Sequence, residues 1–235
     1  VPMAGAGSRF KEAGYIFPKP LIEIDNKPMI QWVVESLKLE GNYVFIVQKE
    51  HQEKYNINSV LKILKPNCKI IELDHITEGA ACTTLLAKKF INTNHPLIIA
   101  NSDQYIKWDS IKSMYNYNQK KIDGSILTFE AIHPKWSYAK TDKNNFVTEV
   151  AEKKVISKNA TVGVYYWKKG SDYVNCAETM IKKNVRVNNE FYVCPVYNEA
   201  IGEGRKIVID KVLEMHGLGT PDDLKNFITK KNLTK

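Results

Sequence analysis

Apolar segments with the length of strands alternate with helical patterns through the first half of the chain, and this alternation restricts the fold more than any other feature. The segments typical of strands are residues 1–3, 43–47, 69–73 and 97–100. The helical patterns are a stretch that begins at Pro28 and residues 51–64, 80–90 and 111–117. Because parallel strands need crossover connections between them, this order predicts a parallel sheet with helices on both faces.

The second half of the chain follows a different order. Segments typical of strands, separated by polar turns, cover residues 125–131, 138–141, 146–150 and 161–167. Helical patterns at residues 172–182 and 192–203, a strand pattern at 206–212 and a helix from Pro221 come next. No repeat, low-complexity stretch or linker divides the sequence. We therefore predict one domain over residues 1–235, with a Rossmann-like half, residues 1–123, and a half, residues 124–235, that adds strands and a C-terminal helix.

The charge of the chain is a weak guide to its partners. The 34 Lys and Arg residues against 26 Asp and Glu residues give a net charge of +8, but only Arg9, Arg186 and Arg205 are arginines. Side chains that read bases and phosphates with two parallel hydrogen bonds are usually arginines. We expect mainly a solvated lysine surface, and a site for small anions or a nucleic-acid surface are the alternatives.

The amino-acid sequence shows no segment that would direct a protein to a membrane or to an oxidising compartment. No apolar run approaches the ~18–20 residues that cross a bilayer, and no signal peptide is visible. The four cysteines form no CxxC pair. We therefore expect a reduced, cytoplasmic protein with no membrane partner, and we expect that a few strand residues precede Val1.

A glycine-rich segment after the first strand is the strongest local signal for a ligand. In the sequence Ala4-Gly5-Ala6-Gly7-Ser8-Arg9, the two glycines allow close approach of the backbone to a ligand, and successive free N–H groups form an anion-binding nest. Arg9 and Lys19 would add two cations. The segment matches neither a P-loop nor a dinucleotide fingerprint, and an ordinary turn with a solvated arginine is the alternative.

A second signal follows the strand at 97–100, where Ser102 and Asp103 stand at its carboxyl end. Ligands of open parallel sheets bind at this edge, and a carboxylate there suits Mg²⁺ that also contacts substrate phosphates. A turn former or helix cap is the alternative for a lone Asp. The glycine-rich segment after the first strand favours the metal-binding interpretation.

Three further segments carry weaker signals. Glu78-Gly79-Ala80 precedes a helix, where backbone groups could face a flat ligand, although a plain helix start capped by Thr77 is equally consistent. Lys153 follows a strand and could hold a phosphate, or belong to a solvated charge run. Arg186 and Glu190 lie in a polar stretch that could equally be a surface loop.

Several classes of enzyme find no support in the sequence. There is no GxSxG nucleophile elbow, no HExxH motif and no EF-hand loop. The five histidines have no spacing typical of metal ligands, which argues against a zinc enzyme.

Taken together, these motifs resemble the nucleotidyltransferase family that includes the sugar-1-phosphate nucleotidyltransferases and the phosphocholine cytidylyltransferases. The family pattern G-x-G-[ST]-R…P-K-P is present at residues 5–9 and 18–20, and weaker likeness extends over nearly the whole chain. The resemblance implies a three-layer α/β/α fold of the GT-A-like type with a mixed, mostly parallel central sheet. It also implies that residues 1–123 bind the nucleotide and residues 124–235 the acceptor.

Within the family, the amino-acid sequence of residues 2–10, 77–83 and 101–104 is similar to that of small cytidylyltransferases of bacterial capsule modification. These enzymes use CTP and Mg²⁺ to transfer CMP to phosphoglutamine in the synthesis of capsular phosphoramidate. The resemblance therefore implies CTP and a small phosphorylated acceptor as substrates and no nucleic acid, and it leaves a homodimer open. The alternative is a sugar-1-phosphate nucleotidyltransferase that uses UTP, GTP or dTTP.

The resemblance also implies a role for each motif residue. Arg9, with the backbone of residues 5–8, would hold the departing pyrophosphate, and Lys19 would meet charge at the α-phosphate. Asp103 would bind Mg²⁺, Lys153 would bind the phosphate of the acceptor, and Glu190 would contact the rest of the acceptor. The residues that would contact the nucleotide are Ala4, Gly5, Ala6, Gly7, Ser8, Glu78, Gly79, Ala80 and Ser102.

One departure from the family concerns the metal. Many relatives carry a second metal-binding Asp just before a Gly-Thr pair, whereas residues 214–220 contain none. Either Asp103 and the phosphates hold the metal alone, or Glu214 or Asp210 substitutes. Two further readings are a glycosyltransferase, which would usually have a DxD motif, and a nucleotide-binding subunit without activity.

Overall fold

The computed structural model describes residues 1–232, which form two compact units. Unit 1 consists of Val1–Ile76, Asn101–Trp108 and the chain from Leu213 onward, and unit 2 of Thr77–Ala100 and Asp109–Val212. The predicted single domain over residues 1–235 stays a prediction.

The bounds of the regular elements are as follows. The helices are α1 (Ser8–Glu12), α2 (Met29–Leu37), α3 (Lys49–Tyr55), α4 (Ile57–Leu64), α5 (Ala80–Leu85), α6 (Lys88–Ile91), α7 (Ser110–Gln119), α8 (Gly170–Lys182), α9 (Val196–Gly202) and α10 (Pro221–Asn232). The strands are β1 (Glu23–Ile24), β2 (Lys27–Pro28), β3 (Val44–Gln48), β4 (Lys69–Leu73), β5 (Leu97–Ala100), β6 (Gln104–Lys107), β7 (Gly124–Glu130), β8 (Tyr138–Thr141), β9 (Val147–Ala151), β10 (Asn159–Trp167), β11 (Ile207–Lys211) and β12 (Glu214–Gly217). A 3₁₀ turn covers Lys19–Leu21.

Unit 1 contains short sheets around two apolar clusters. Strands β3 and β4 pair in parallel, and the start of the chain joins β3 through a parallel bridge between Pro2 and Ile46. Strands β6 and β12 pair antiparallel, with Gly217 opposite Gln104. One cluster lies between β3 and helices α2 and α4; its buried members include Ile30, Val33, Phe45 and Leu61.

The second apolar cluster of unit 1 supports the segments that carry the candidate site. It joins Phe10 of α1, Leu218 after β12, and Leu224 and Phe227 of α10. Ile22, Ile24 and Met29 complete its buried members. Burial of each large apolar side chain contributes roughly 1.5–3 kcal/mol to the free energy of folding. The same cluster therefore stabilises both the helix that follows the glycine-rich segment and the C-terminal helix.

Unit 2 contains a six-stranded mixed sheet in the order β11-β7-β10-β8-β9, with β5 also paired to β10. Strand β11 runs parallel to β7, whereas β10 runs antiparallel to β5, β7 and β8. Strand β10 is buried along nearly its whole length, which explains its continuous apolar sequence. At the end of β10, the Trp167 ring stacks on the Tyr197 ring of α9, with ring centroids 4.3 Å apart.

The predicted α/β class with a mixed sheet is confirmed, and antiparallel pairs are more numerous among the described strands than we expected. Strands β4, β5 and β8 have the predicted bounds. The helical stretch at 51–64 is two helices, because Asn56 adopts a left-handed conformation with φ 50°. The stretch at 80–90 also divides, and the helix expected over 192–203 covers only Val196–Gly202.

Within residues 1–232, no helix combines the length and the apolar character that crossing a bilayer requires.

Candidate active site

The strand predicted at residues 1–3 is only an isolated bridge between Pro2 and Ile46, and the glycine-rich segment of unit 1 runs from there into α1. Gly7 has φ 62°, a left-handed conformation that favours glycine, and it directly precedes the helix. A Cβ placed on Gly5 would meet no heavy atom within 4 Å, so this part of the segment is open. The side-chain amide of Gln48, at the end of β3, donates hydrogen bonds to the carbonyl oxygens of Ala4 at 3.0 Å and Gly5 at 2.9 Å.

Amide groups of this segment are available to a ligand. The backbone N–H groups of Gly5 and Ala6 have no acceptor in the part of the chain that the structure describes. Gly5, Ala6, Ser8 and the Arg9 side chain are exposed. The segment therefore presents unpaired donors beside a cation, as the anion-binding prediction requires.

Lys19 and Asp103 form the central ion pair of unit 1. Lys19 begins the 3₁₀ turn after Pro18, and its Nζ lies 2.9 Å from Asp103 Oδ2. The two side chains are 22% and 28% exposed, so both can still reach a ligand. The Cβ position of Gly7 lies 3.7 Å from Lys19 Cβ, which sets the glycine-rich segment against the same lysine.

The backbone around Asp103 is held by the stretch after β12. Leu218 donates its N–H to the Asp103 carbonyl at 2.7 Å. A Cβ on Gly219 would lie 3.0 Å from Asp103 Oδ2, so a larger residue there would press on the carboxylate. We call residues 5–9, Lys19 and Asp103 the phosphate set.

The donors of the phosphate set fit a magnesium ion that is shared with a substrate. Within residues 1–232 no group of three or more His, Cys, Asp or Glu side chains could hold a metal. Mg²⁺ commonly takes one or two carboxylates and completes its octahedron with substrate phosphates and water. Asp103 supplies one partly exposed carboxylate of this kind, and the other ligands would come from phosphate oxygens and water.

Both candidates for a second carboxylate have one oxygen engaged by another side chain. Glu214 Oε1 contacts His216 Nε2 at 2.6 Å and lies three residues along β12 from Gly217, about 10 Å at the rise of a strand. Asp210, in unit 2, accepts hydrogen bonds from the hydroxyls of Ser113 at 2.5 Å and Tyr117 at 2.6 Å. The described side chains thus favour the hypothesis that Asp103 would bind the metal together with substrate phosphates, without a second carboxylate.

In unit 2, the segment Glu78-Gly79-Ala80 is fixed against Phe191. Phe191 donates its N–H to the Glu78 carbonyl at 2.8 Å, and its own carbonyl accepts from Ala81 at 2.9 Å. Gly79 has φ 129°, and a Cβ there would lie 2.5 Å from backbone atoms of Phe191. Only glycine fits this close approach. Gly79 is the N-cap of α5, whereas the Thr77 hydroxyl bonds the Gly79 carbonyl rather than capping the helix.

Arg186 strengthens the same contact from its side chain. One guanidinium nitrogen lies 2.5 Å from a Glu78 carboxylate oxygen, and the guanidinium carbon lies 4.0 Å from the centre of the Phe191 ring. Another nitrogen donates to the Asn189 carbonyl at 3.1 Å. Glu78 therefore has an arginine as its counter-ion, and its backbone is fixed by the contact with Phe191.

The predicted acceptor residues of unit 2 belong to a charged group around Tyr192. Lys153 Nζ donates to the Tyr192 hydroxyl at 2.6 Å. Burial raises the pKa of the Glu152 carboxyl, while a hydrogen bond from Ser137 and the charge of Lys153 act in the opposite direction. The Glu190 backbone pairs with Val187 in an isolated bridge. We call Glu152, Lys153, Glu190 and Tyr192 the acceptor group.

Sequence reasoning missed several of these contacts. Gln48 stands at the carboxyl end of a predicted strand, where ligand-binding residues of such sheets gather, and this position was the available signal. Tyr192 fell inside the stretch at 192–203 that we expected to be helical, and Phe191 lies directly before it. The roles of Arg9, Lys19, Ser102 and the other predicted site residues remain predictions.

Comparison with known proteins identifies the family. The model of the family described as Nucleotidyl transferase matches residues 3–220. The chain belongs to this family. The match includes both the phosphate set and the acceptor group.

Individual relatives of this nucleotidyltransferase are distant. The Bifunctional protein GlmU of Thermotoga sp. (strain RQ2) is 26% identical over 222 residues, which cover 92% of this chain and 47% of the relative. The chain thus spans about half the length of the curated relatives it matches.

Solved structures resemble the chain over almost its full length. The nucleoside-diphosphate-sugar pyrophosphorylase from Vibrio cholerae RC9 has a TM-score of 0.83 and 25% identity, covering 97% of this chain and 98% of that one. A UDP-glucose pyrophosphorylase in complex with UDP-glucose has a TM-score of 0.77 at 17% identity, covering 100% of this chain and 97% of its own. The second likeness concerns the fold alone.

Proposed function

We propose that this chain transfers a nucleotidyl group from a nucleoside triphosphate to a small phosphorylated acceptor and releases pyrophosphate. The observation that carries the proposal is the ion pair between Lys19 and Asp103, 84 residues apart in sequence, beside a glycine-rich segment with unpaired N–H groups. A cation, a carboxylate and free amide donors are the groups needed to bind a polyphosphate with its magnesium ion.

The reaction asks for no nucleophile from the protein. A phosphate oxygen of the acceptor attacks the α-phosphorus, a new P–O bond forms, and the bond from the α-phosphorus to the bridging oxygen of the β-phosphate breaks. Pyrophosphate leaves with that electron pair. Catalysis is then positioning and charge stabilisation, which fixed cations and amide donors supply.

Each member of the phosphate set has one task in this proposal. Arg9 and the amide groups of residues 5–8 hold the pyrophosphate as it departs. Lys19 moves from the carboxylate of Asp103 to the charge that develops at the α-phosphate. Asp103 would hold Mg²⁺ together with substrate phosphates, and the ion would neutralise phosphate charge. Ala4 and Ser102 contact the nucleotide.

Residues 78–80, Lys153 and Glu190 are assigned the base and the acceptor in this proposal. Backbone N–H groups of Glu78, Gly79 and Ala80 offer fixed donors for the edge of a base, because Phe191 and Arg186 hold this segment in place. Lys153 binds the phosphate of the acceptor, and Glu190 contacts the remainder of the molecule.

For the finer specificity we propose CTP as the donor and phosphoglutamine as the acceptor. The acceptor group contains carboxylates at Glu152 and Glu190 and a cation at Lys153, which suits a phosphorylated molecule that also carries an ammonium group. The likeness of residues 2–10, 77–83 and 101–104 to cytidylyltransferases of capsule modification supports the same choice.

A sugar-1-phosphate acceptor with UTP, GTP or dTTP is the second candidate. It is favoured by the likeness to the nucleoside-diphosphate-sugar pyrophosphorylase of V. cholerae RC9 and by the match to Bifunctional protein GlmU. On this reading, Glu190 accepts hydrogen bonds from sugar hydroxyls instead of pairing with an ammonium group.

A pyrophosphate-release assay tests both candidates. The protein is incubated with Mg²⁺, with CTP, UTP, GTP, ATP or dTTP, and with phosphoglutamine, phosphocholine, a hexose 1-phosphate or an amino-sugar 1-phosphate. Release with CTP and phosphoglutamine supports the finer proposal, whereas release with a sugar 1-phosphate and another nucleotide supports the second candidate. No release with any pair would contradict the proposed function.

A matched pair of variants controls for contaminating activity. Asp103→Asn removes the carboxylate of the phosphate set and is expected to lower the rate at least about 100-fold, as loss of a group that stabilises the transition state does. Asp142→Asn changes an exposed turn between β8 and β9, where an amide oxygen can replace the carboxylate as acceptor, and should leave the rate unchanged.

A further inference from the structure

Gln48 contacts two consecutive peptide groups of the glycine-rich segment. Its single Nε2 atom donates to the carbonyls of Ala4 and Gly5 at 3.0 and 2.9 Å. The backbone of β3 pairs with the start of the chain as far as Met3, whose N–H donates to the Ile46 carbonyl at 2.9 Å. Gln48 lies two residues beyond Ile46. Its side chain therefore continues the pairing past the point where the two backbones diverge.

This contact determines the direction of two amide groups. In a planar trans peptide the C=O and N–H bonds point in opposite directions. Because the Ala4 and Gly5 carbonyls point toward Gln48, the N–H groups of Gly5 and Ala6, which belong to the same two peptides, point away from it. These are the N–H groups that have no acceptor in the described chain.

We infer that Gln48 is a positioning residue that holds the Gly5 and Ala6 amide groups toward the pyrophosphate portion of the nucleotide. This inference rests on the proposed function, since it gives the amide groups a phosphate to bind. Gln48 itself does not touch the substrate. Its effect should appear in the binding of ligands that carry the β- and γ-phosphates and be small for a nucleoside monophosphate.

Only a donor at position 48 can carry out this role, which allows a sharp choice of variants. Gln48→Glu keeps the shape but places an acceptor opposite two carbonyl oxygens, and Gln48→Met keeps the length with no polar group. At about pH 5, a Glu beside two carbonyls is partly protonated and can donate one hydrogen bond, whereas Met cannot. Gln31→Met, on the exposed side of α2, is the matched control.

Calorimetry should measure the dissociation constants of pyrophosphate, CTP and CMP with Mg²⁺ at about pH 7.5 and about pH 5, each compared with the wild type at the same pH. We expect Gln48→Glu to weaken pyrophosphate and CTP about tenfold at the higher pH, in line with loss of one preorganised hydrogen bond. The difference in affinity between Gln48→Glu and the wild type should be smaller at the lower pH. Gln48→Met should show a deficit that does not depend on pH, and CMP should change less than about twofold.

Other outcomes overturn the inference in distinguishable ways. Equal affinities in the wild type and both Gln48 variants refute the role of Gln48 alone. If both variants lose affinity for CMP and CTP equally and independently of pH, and also melt at a lower temperature, the contact is purely structural. This result would also refute the positioning role of Gln48. A wild type that binds neither pyrophosphate nor any of the five triphosphates refutes the proposed function together with this inference.

Discussion

At the scale of single residues, Lys19 and Asp103 each serve as the other's counter-ion. The 2.9 Å contact joins two partly exposed side chains, so the pair contributes a modest stabilisation of about 0.2–1 kcal/mol. A pair this weak can be separated by a ligand. When a phosphate binds Lys19 and a cation binds Asp103, the single ion pair between the two side chains is replaced by two charged contacts.

Replacement of Lys19 by Ala should therefore have two opposite effects. Turnover should fall by about 10²–10³-fold, because one cation near the reacting phosphate is lost. The affinity of the protein for Mn²⁺ in the absence of nucleotide should rise about two- to fivefold, because Asp103 no longer has an ammonium competitor. Electron paramagnetic resonance of free Mn²⁺ measures the second effect without any dependence on activity.

Lys54→Ala serves as the control for Lys19→Ala. Lys54 pairs with Glu50 on the exposed side of α3, and its loss should leave both turnover and Mn²⁺ binding unchanged. Near-normal turnover of Lys19→Ala would remove the lysine from the proposed reaction. An unchanged or lower affinity for Mn²⁺ would show that Lys19 does not shield the carboxylate.

At the scale of elements, the start of α5 depends on one glycine. Gly79→Ala should disrupt the contact with Phe191, because the added Cβ would lie 2.5 Å from backbone atoms and φ is 129°. We expect a loss of roughly 2–3 kcal/mol in the free energy of unfolding, a combination of overpacking and backbone strain, together with a higher KM for the nucleotide. Urea unfolding and steady-state kinetics measure the two quantities.

Gly5→Ala is the matched comparison for Gly79→Ala. Its Cβ would meet no heavy atom within 4 Å, so the free energy of unfolding should change by less than about 0.5 kcal/mol. If Gly79→Ala were as stable as the wild type, the segment at 78–80 would be more adaptable than its contacts with Phe191 indicate, and its proposed task as a fixed reader of the base would fail.

The elements also differ in how far the sequence predicts them. Strands β5 and β10 are mostly apolar runs of the right length, and pattern alone locates them. Strands β6 and β12 were missed. They contain polar residues such as Gln104, Lys107 and His216, and each pairs with a partner more than a hundred residues away in the chain, which no local pattern reveals.

The candidate site divides in the same way. The glycine-rich segment and the strand end at Asp103 are local signals, because the turn geometry and the edge of a sheet restrict the residues found there. The pairing of Lys19 with Asp103, the bonds from Gln48 and the contact of Arg186 with Glu78 join residues distant in sequence. They follow from the tertiary fold, so the sequence could suggest the residues but not their partners.

At the scale of the whole molecule, the net charge of +8 comes mainly from lysines spread along the chain, since only three of the 34 basic residues are arginines. Many lysines face a carboxylate; examples are the pairs Lys27–Glu35, Lys54–Glu50, Lys88–Glu178 and Lys183–Glu199. The cations of the phosphate set differ from these pairs. Arg9 is exposed and has no ion-pair partner within residues 1–232, and Lys19 pairs with a residue that a metal would engage.

Ionic strength should therefore affect a triphosphate and nucleic acid differently. Between about 25 and 300 mM salt the Debye length falls from roughly 19 to 6 Å, so attraction of a tetra-anion to Arg9 and Lys19 should weaken and the Kd of CTP rise about five- to tenfold. The uncharged nucleoside should show no such change. Duplex DNA of about 20 base pairs should show no binding at about 150 mM salt, because the lysines are spread along the chain, several are paired with carboxylates, and few counter-ions would be released. Fluorescence anisotropy measures the DNA arm, and a Kd near or below about 1 μM with a steep salt dependence would contradict the assignment of the free cations to a small polyphosphate.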